Sequence, residues 1–156
     1  MKLSKLSILS LVVTLILISC GKEYSSEKLR PATGNWEFTN GAFNYAGYLD
    51  TVYQIKGIGM NVLYILGKND DGSQSFQLKL YGDSIAPGTY QASYYQSSFN
   101  YFQPGKTIYS ANALVGEFIV NLNVFDSTKV QGTFSGTAKD STNNLIQITN
   151  GKFTTF

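Results

Sequence analysis

One stretch near the end of the chain decides the fold: residues 130–153 read VQGTFSGTAKDSTNNLIQITNGKF. Its first half alternates strictly between two faces. The inward face carries Val130, Gly132, Phe134, Gly136 and Ala138. Residues 140–144 then turn the chain, and the isoleucines at 146 and 148 resume the inward side. This pattern predicts a β-hairpin with one buried face.

The alternation changes phase near the end of this hairpin. Phe153 is out of phase by one residue with the inward side chains of Ile146 and Ile148. One extra residue resets the parity of a strand, and glycine tolerates the backbone angles that this requires. The sequence therefore predicts a β-bulge near Asn150 and Gly151.

From Trp36 onward, the rest of the chain is a series of similar short runs separated by turn residues. Residues 75–81 and 117–125 alternate cleanly, whereas the polar and aromatic residues 96–105 predict a long loop. About eight or nine strands with frequent turn signals predict an all-β domain, and its strands are antiparallel because no crossover helices are available. We expect an antiparallel two-sheet, immunoglobulin-like sandwich, with a small lipocalin-like barrel as the alternative.

The first twenty residues have a different character. Two lysines, Lys2 and Lys5, precede an apolar run over residues 6–18. These are the charged and apolar regions of a secretory signal peptide, and the run is shorter than the ~20 apolar residues that span a bilayer. The run ends in LISCG at residues 17–21, which resembles the lipobox of bacterial lipoproteins.

The lipobox resemblance implies a specific maturation at Cys20. The thiol receives a diacylglycerol, a lipoprotein signal peptidase cuts before Cys20, and the new amine is acylated; two or more acyl chains anchor a protein stably. We expect a cleaved signal peptide over residues 1–19, a lipidated tether over residues 20–34 and a single β domain over residues 35–156. Gly21 is not the aspartate that commonly retains lipoproteins in the inner membrane, so the resemblance implies the outer membrane, on either its periplasmic or its surface face.

Composition argues against several function classes. Cleavage removes Lys2 and Lys5, so ten of the twelve basic side chains remain, against ten acidic ones. A balanced chain gives no electrostatic reason to bind nucleic acid. The chain has no histidine, and its only cysteine is Cys20, so the usual general base, a free thiol nucleophile and a disulfide are excluded. We expect no enzymatic activity, no metal and no cofactor.

An aromatic stretch is the best candidate for ligand binding. It contains Tyr95, Phe99, Tyr101 and Phe102, interleaved with glutamine, serine and asparagine. Exposed rings of this kind would stack on sugars while the polar neighbours bind hydroxyl groups, and large exposed apolar patches usually mark a partner. The alternative is that Tyr90 and Tyr94 face the core while the other rings pack a loop.

Four of the six aspartates precede serine or threonine in a pattern that resembles the O-glycosylation sequon of the Bacteroidota. The candidate acceptors are Thr51, Ser84, Ser127 and Ser141. The alternative is structural, because Asp-Ser and Asp-Thr pairs form turns through bonds from the side chain to the backbone.

Three segments extend the resemblance: IAPGTY at 85–90, GTFSGT at 132–137 and ITNGKF at 148–153. With the lipobox, they resemble small β-sandwich lipoproteins of the Bacteroidota, a resemblance that implies a fold and no activity. We expect a lipid-anchored outer-membrane protein whose non-catalytic β domain binds a glycan or a protein partner. The alternatives are a periplasm-facing structural or assembly accessory, and a lipocalin-like carrier of an apolar ligand.

Overall fold

A computed structural model describes residues 25–156, with side chains from residue 34 onward. The expected signal peptide, Cys20 and the first part of the expected tether lie outside the described residues. Ten strands run along the described chain: β1 (Ser25–Asn40), β2 (Phe43–Gly57), β3 (Met60–Lys68), β4 (Ser75–Gly82), β5 (Gly88–Gln91), β6 (Ser97–Gln103), β7 (Lys106–Ala111), β8 (Phe118–Phe125), β9 (Val130–Asp140) and β10 (Leu145–Thr155). A 3₁₀ turn (Ala92–Tyr94) follows β5. Within residues 25–156, no helix is both long and apolar enough to cross a membrane.

The strands form one antiparallel sheet that closes on itself. The closed ring runs β1, β2, β3, β4, β6, β7, β9 and β10, and β10 pairs again with β1. The shortest junction in the ring joins β7 to β9 through Tyr109 opposite Asp140 and Ser110 opposite Lys139. Strand β8 pairs with the first half of β9, and β5 pairs with β8, so these two strands extend the sheet beside the ring. The molecule is therefore an up-and-down barrel of eight strands with two additional strands.

The closed ring confirms an all-β, antiparallel fold but not the expected architecture. The prediction of a two-sheet, immunoglobulin-like sandwich is wrong, and the barrel alternative agrees with the structure. The physical reason lies in β1, which pairs with β2 along one edge and with β10 along the other. Each of two separate sheets would keep free edges, whereas closure removes them.

The hairpin of β9 and β10 contains the predicted bulge. Ile148 lies opposite Gly136, but the next pair is Gly151 opposite Phe134, so the bulged strand has one extra residue. Asn150, with φ of 53°, takes the left-handed conformation instead of Gly151. Gly151 is required for a different reason, because a Cβ there would lie 2.3 Å from the Phe134 carbonyl oxygen and 2.5 Å from its ring.

Two segments differ from expectation. Strand β1 begins at Ser25, inside the segment assigned to the tether, and residues 25–31 pair with residues 51–56 of β2. Residues 97–103 form β6 instead of a loop, because β6 pairs with both β4 and β7 and turns alternate side chains into the core.

The interior of the barrel is filled by aromatic rings. Trp36 stacks on Phe76 with ring centroids 4.8 Å apart, and Phe99 lies 5.3 Å from Phe118 and 5.7 Å from Phe134. An eight-stranded barrel is about wide enough for its own side chains to fill. The barrel is therefore a packed core. Its almost fully buried rings are Trp36, Phe38, Phe76, Phe99, Tyr101, Phe118, Phe134 and Phe153.

Strand β1 spans the barrel and defines its two ends. Its first residue, Ser25, pairs with Lys56 beside the β2–β3 turn, and we call this the proximal end. Its last residue, Asn40, pairs with Ile148 near the β9–β10 turn, at what we call the distal end. The β2–β3 and β9–β10 turns therefore lie at opposite ends.

A polar cleft on the outer face of the barrel

A cleft of about 390 Å³ lies on the outer face of the barrel over β1, β10 and β9, bordered by β8. We call it the polar cleft. Its polar and charged side chains form two rows. Each row runs across β1, β10 and β9 through residues that pair directly with one another. The first row is Asn35, Thr154 and Gln131, with Asn123 beyond it; the second is Glu37, Lys152 and Thr133.

The alternation of the strands explains why these side chains face outward. Trp36 and Phe153 are each 1% exposed and point into the core. Successive side chains of a strand point to opposite faces, so the residues on either side of these two rings line the outside. Asn123 joins the cleft at an irregularity of β8, where the pairing with β9 skips from Leu122 to Val124.

The polar cleft holds one ion pair and is otherwise uncharged. Lys152 Nζ lies 2.9 Å from Glu37 Oε1, on directly opposed residues of β10 and β1. Both side chains are at least half exposed, so the pair contributes little to stability. It does balance the two charges. The amide and hydroxyl groups of the lining both donate and accept hydrogen bonds, and Trp36, Gly132 and Phe153 also line the cleft.

The polar surface continues along β9 and β10 past the bulge. A neighbouring cavity is lined by Ser135, Asn150 and the same ion pair. Thr39 Oγ1 lies 2.6 Å from Thr149 Oγ1, and Asn150 donates to Thr39 Oγ1 at 3.4 Å. The outer face of the β1–β10–β9 sheet thus presents amide and hydroxyl groups on both sides of the Glu37–Lys152 ion pair.

The aromatic candidates from the sequence do not form one site. Phe99 and Tyr101 are 0% and 1% exposed and belong to the core, so the expected exposure of these two rings is wrong. Tyr95 is 73% exposed just before β6, and Phe102 is half-buried near the end of that strand. These two residues are seven positions apart, about 23 Å along an extended chain. The structure therefore separates them.

The alternative assignment of Tyr90 and Tyr94 to the core is right for one of the two. Tyr90 is buried, and its hydroxyl donates to the Ala86 carbonyl oxygen at 2.7 Å. Tyr94 is 69% exposed, because the 3₁₀ turn that follows β5 breaks the alternation. Tyr94 and Tyr95 are consequently adjacent exposed rings at the start of β6.

A cluster of tyrosine hydroxyls lies between β2, β6 and β7. The hydroxyl oxygens of Tyr45 and Tyr109 are 2.7 Å apart, and Asn40 donates to Tyr109 Oη at 3.2 Å. Tyr101 donates to the side-chain carbonyl oxygen of Gln74. Burial raises the pKa of Tyr45, and burial with the nearby Asp71 charge raises the pKa of Tyr101 to about 12. These two phenols are neutral at physiological pH. Tyr45 connects β2 to β7 through Tyr109, and Tyr101 connects β6 to Gln74, just before β4.

The glycosylation candidates divide into two groups. Ser84, Ser127 and Ser141 are exposed in loops between strands. Thr51 is half-buried within β2, where it pairs with Leu66 of β3, so it does not lie in a turn.

The aspartates before Ser127 and Ser141 have a structural role. Asp140 Oδ1 accepts hydrogen bonds from the Thr142 hydroxyl at 2.8 Å and from the backbone N–H of Asn144 at 2.9 Å. Asp126 accepts from Thr128 in the same way. These bonds, chiefly the one from the Thr142 hydroxyl, lower the pKa of Asp140. The turn interpretation therefore accounts for both aspartates, and both serines remain exposed at the tips.

Among the described residues, no group of three or more histidine, cysteine, aspartate or glutamate side chains could hold a metal ion. The geometry defines an antiparallel β-barrel with a polar outer cleft. No protein-family model, no curated protein and no solved structure matches this chain.

Sequence reasoning did not find the polar cleft. The polar alternation of Gln131 and Thr133 was visible as an outward face, and it was the available signal. The partners Asn35 and Glu37 are brought beside them only by the pairing of the first strand with the last. That pairing joins distant parts of the chain and leaves no local pattern.

Proposed function

We propose that this protein is a lipid-anchored binding protein of the outer membrane whose polar cleft takes an uncharged ligand rich in hydroxyl groups, namely a glycan. One observation carries the proposal: amide and hydroxyl side chains lie in two rows on one sheet face, and one of these rows contains the balanced Glu37–Lys152 ion pair. The cleft volume of about 390 Å³ falls within the range of small-ligand sites, roughly 300–1,000 Å³.

The chemistry of the lining favours hydroxyl groups over charged groups. A sugar hydroxyl donates and accepts, as do the side chains of Asn35, Gln131 and Thr133. An anionic ligand would meet the Glu37 carboxylate, and a cationic ligand would meet the Lys152 ammonium group. An uncharged polyhydroxyl ligand avoids both conflicts and leaves the ion pair intact.

The anchor part of the proposal rests on the signal peptide and on Cys20 as the only cysteine. Strand β1 is compatible with such a tether. About ten residues separate Ser25 from Asn35, and at ~3.3 Å per residue the cleft lies roughly 30 Å along β1 from the point nearest the anchor. A ligand larger than one sugar would have room between the cleft and the bilayer.

The barrel bears on the carrier alternative in two ways. The up-and-down strand order supports a lipocalin-like fold. Carriage of an apolar ligand, however, needs interior space, and stacked rings such as Trp36 and Phe76 occupy that space. We therefore place the binding function on the outer face.

Glycan binding is tested with the full-length lipidated protein in nanodiscs against a glycan array, followed by titration of any hit. Thr133→Val removes one hydroxyl of the cleft at nearly constant size. Because one hydrogen bond contributes about 0.5–1.5 kcal/mol, we expect an affinity loss of about two- to tenfold. The matched control Thr107→Val changes an exposed threonine of β7 outside the cleft and leaves affinity unchanged. An array without a hit, or equal losses in both variants, contradicts the proposal.

The anchor is tested by the intact mass of protein purified from its native host and by Cys20→Ala. We expect the mass of the acylated chain that begins at Cys20, and we expect Cys20→Ala to keep residues 1–19, because neither lipid transfer nor cleavage occurs at alanine. A native mass without acyl chains, or a Cys20→Ala protein that is still cleaved before residue 20, would contradict lipid anchoring. The same mass also reports O-glycosylation, with Ser127→Ala and Ser141→Ala to assign it; a mass of polypeptide plus lipid alone rejects that modification.

A further inference from the structure

The turn between β2 and β3 has an unusual composition. Gly57 pairs with Met60, and the two turn residues between them are Ile58 and Gly59. Ile58 is 91% exposed and Met60 is 51% exposed. Such turns favour glycine, asparagine, aspartate and serine, so a branched apolar side chain at the tip has no conformational reason to be there. We call Ile58 and Met60 the apolar tip.

The outer face behind the apolar tip changes character in steps. The nearest row across the sheet is half-buried and consists of Ile55, Val62 and Tyr81. The next row contains Tyr53 and Tyr64, whose rings stack 4.7 Å apart, with Lys79 Nζ 5.2 Å from the Tyr64 ring centre. Behind the aliphatic tip, Tyr81 therefore shares a row with Ile55 and Val62, and Lys79 shares the next row with Tyr53 and Tyr64.

An aliphatic tip with tyrosines and a lysine behind it is compatible with a bilayer surface. Aliphatic side chains enter the acyl region, tyrosines concentrate at the headgroup level, and lysines extend their ammonium groups toward the aqueous side. We take the bilayer as the occupant because the expected lipid on Cys20 already brings it to this end of the barrel.

The course of the chain brings the same end of the barrel to the anchor. Ser25 pairs with Lys56, two residues before Ile58, and β1 is antiparallel to β2. Followed backward from Ser25, β1 therefore heads in the direction in which the apolar tip points. Cys20 precedes Ser25 by five residues, which reach at most about 17 Å.

We propose that the apolar tip inserts into the same bilayer leaflet as the lipid on Cys20, with the tyrosines behind it at the headgroup level. This inference rests on the lipid anchor of the proposed function. The lipid supplies the attachment, and the tip supplies a second contact that fixes the orientation of the barrel. The proximal end then faces the membrane, and the distal end faces water.

The test uses a thiol-specific environment-sensitive dye on the lipidated full chain in phosphatidylethanolamine–phosphatidylglycerol vesicles. Because Cys20 is the only cysteine and its thiol is acylated, Ile58→Cys creates the only free thiol. The matched control is Phe43→Cys at the distal end, where Phe43 is 69% exposed at the start of β2. We expect a blue-shifted emission and several-fold stronger quenching by doxyl lipids at position 58 than at position 43.

Equal, water-like signals at the two positions in acylated protein would overturn the inference and leave the anchor intact. An intact mass without acyl chains would overturn the anchor and this inference together. Strong quenching at position 43 instead would place the distal end at the membrane and also overturn it. Position 58 lies in an exposed turn, so the substitution leaves folding unchanged, which the unfolding midpoint of the labelled protein checks.

Discussion

The β2–β3 and β9–β10 hairpins belong to one barrel and end at opposite poles, yet their turns have opposite chemistry. Both turns place a residue in the left-handed region, Gly59 with φ of 84° and Asn143 with φ of 67°. The distal turn surrounds the Asp140 carboxylate with hydrogen bonds. The proximal turn exposes Ile58 to its surroundings. Backbone geometry therefore does not explain the difference, whereas the proposed insertion of the proximal end into a bilayer would.

The largest expected effect comes from the same substitution in each hairpin. Ile148 is 0% exposed and Ile58 is 91% exposed. Ile148→Ala opens a cavity in the core and should lower the free energy of unfolding by about 2–5 kcal/mol. Ile58→Ala should change it by no more than about 0.5 kcal/mol in detergent-free buffer, where the tip has nothing to pack against. Urea unfolding of residues 21–156, made without Cys20 and the expected signal peptide, measures both losses, and similar losses would remove the contrast between the hairpins.

A second pair of substitutions separates packing from conformation. A Cβ at Gly151 would collide with the backbone and ring of Phe134, whereas a Cβ at Gly59 would meet nothing within 4 Å. Gly151→Ala should therefore cost at least the ~1–3 kcal/mol of overpacking. Gly59→Ala should lower the free energy of unfolding by only about 1–2 kcal/mol, because alanine is unfavourable in the left-handed conformation. Thermal unfolding shows which of the two variants loses more stability. A larger loss in Gly59→Ala than in Gly151→Ala would contradict the packing argument.

The local part of the fold could be predicted from the sequence. The inward alternation of β9 and the bulge at Asn150 follow from side-chain parity, because parity is a property of neighbouring residues. Strand β6 was missed although Phe99 and Tyr101 alternate, because serine, asparagine and glutamine around them also fit a loop. Barrel closure could not be predicted, since it depends on the pairing of Gly34 with Thr155 across nearly the whole described chain.

The same limit applies to the candidate site. Aromatic composition pointed to residues 95–102, but the barrel turns Phe99 and Tyr101 inward. The polar cleft needs Asn35, Gln131 and Thr154 side by side, and only the closed strand order supplies that. The inward orientation of these two rings and the formation of the polar cleft both depend on burial and on pairing between distant strands. A local sequence pattern shows neither.

A smaller effect is expected when the pH dependence of stability is compared between the two turns. Hydrogen bonds, first from the Thr142 hydroxyl, lower the pKa of Asp140 in the folded protein. A lowered folded pKa stabilises the fold above the unfolded aspartate pKa, and this contribution is lost as the pH falls through the folded pKa. Residues 57–60 contain no titratable side chain, so the proximal turn should show no such response.

The measurement is an NMR titration of the side-chain carboxyl carbons. We expect Asp140 to titrate below the ordinary aspartate value of 3.8 and to move toward it in Thr142→Val. Thr107→Val, which removes a hydroxyl from β7, serves as the control and should leave Asp140 unchanged. An Asp140 that titrates at the ordinary value in the unaltered protein would show that the distal turn lacks this network.

The most direct test of the account is hydrogen–deuterium exchange of the lipidated chain in vesicles, compared with residues 21–156 in buffer, made without Cys20 and the expected signal peptide. The account predicts slower exchange at residues 56–61 in vesicles and unchanged exchange at residues 140–145, because only the proximal end meets the bilayer. Equal exchange in both states at residues 56–61, or slowing at residues 140–145 instead, would contradict the assignment of the two ends to different media.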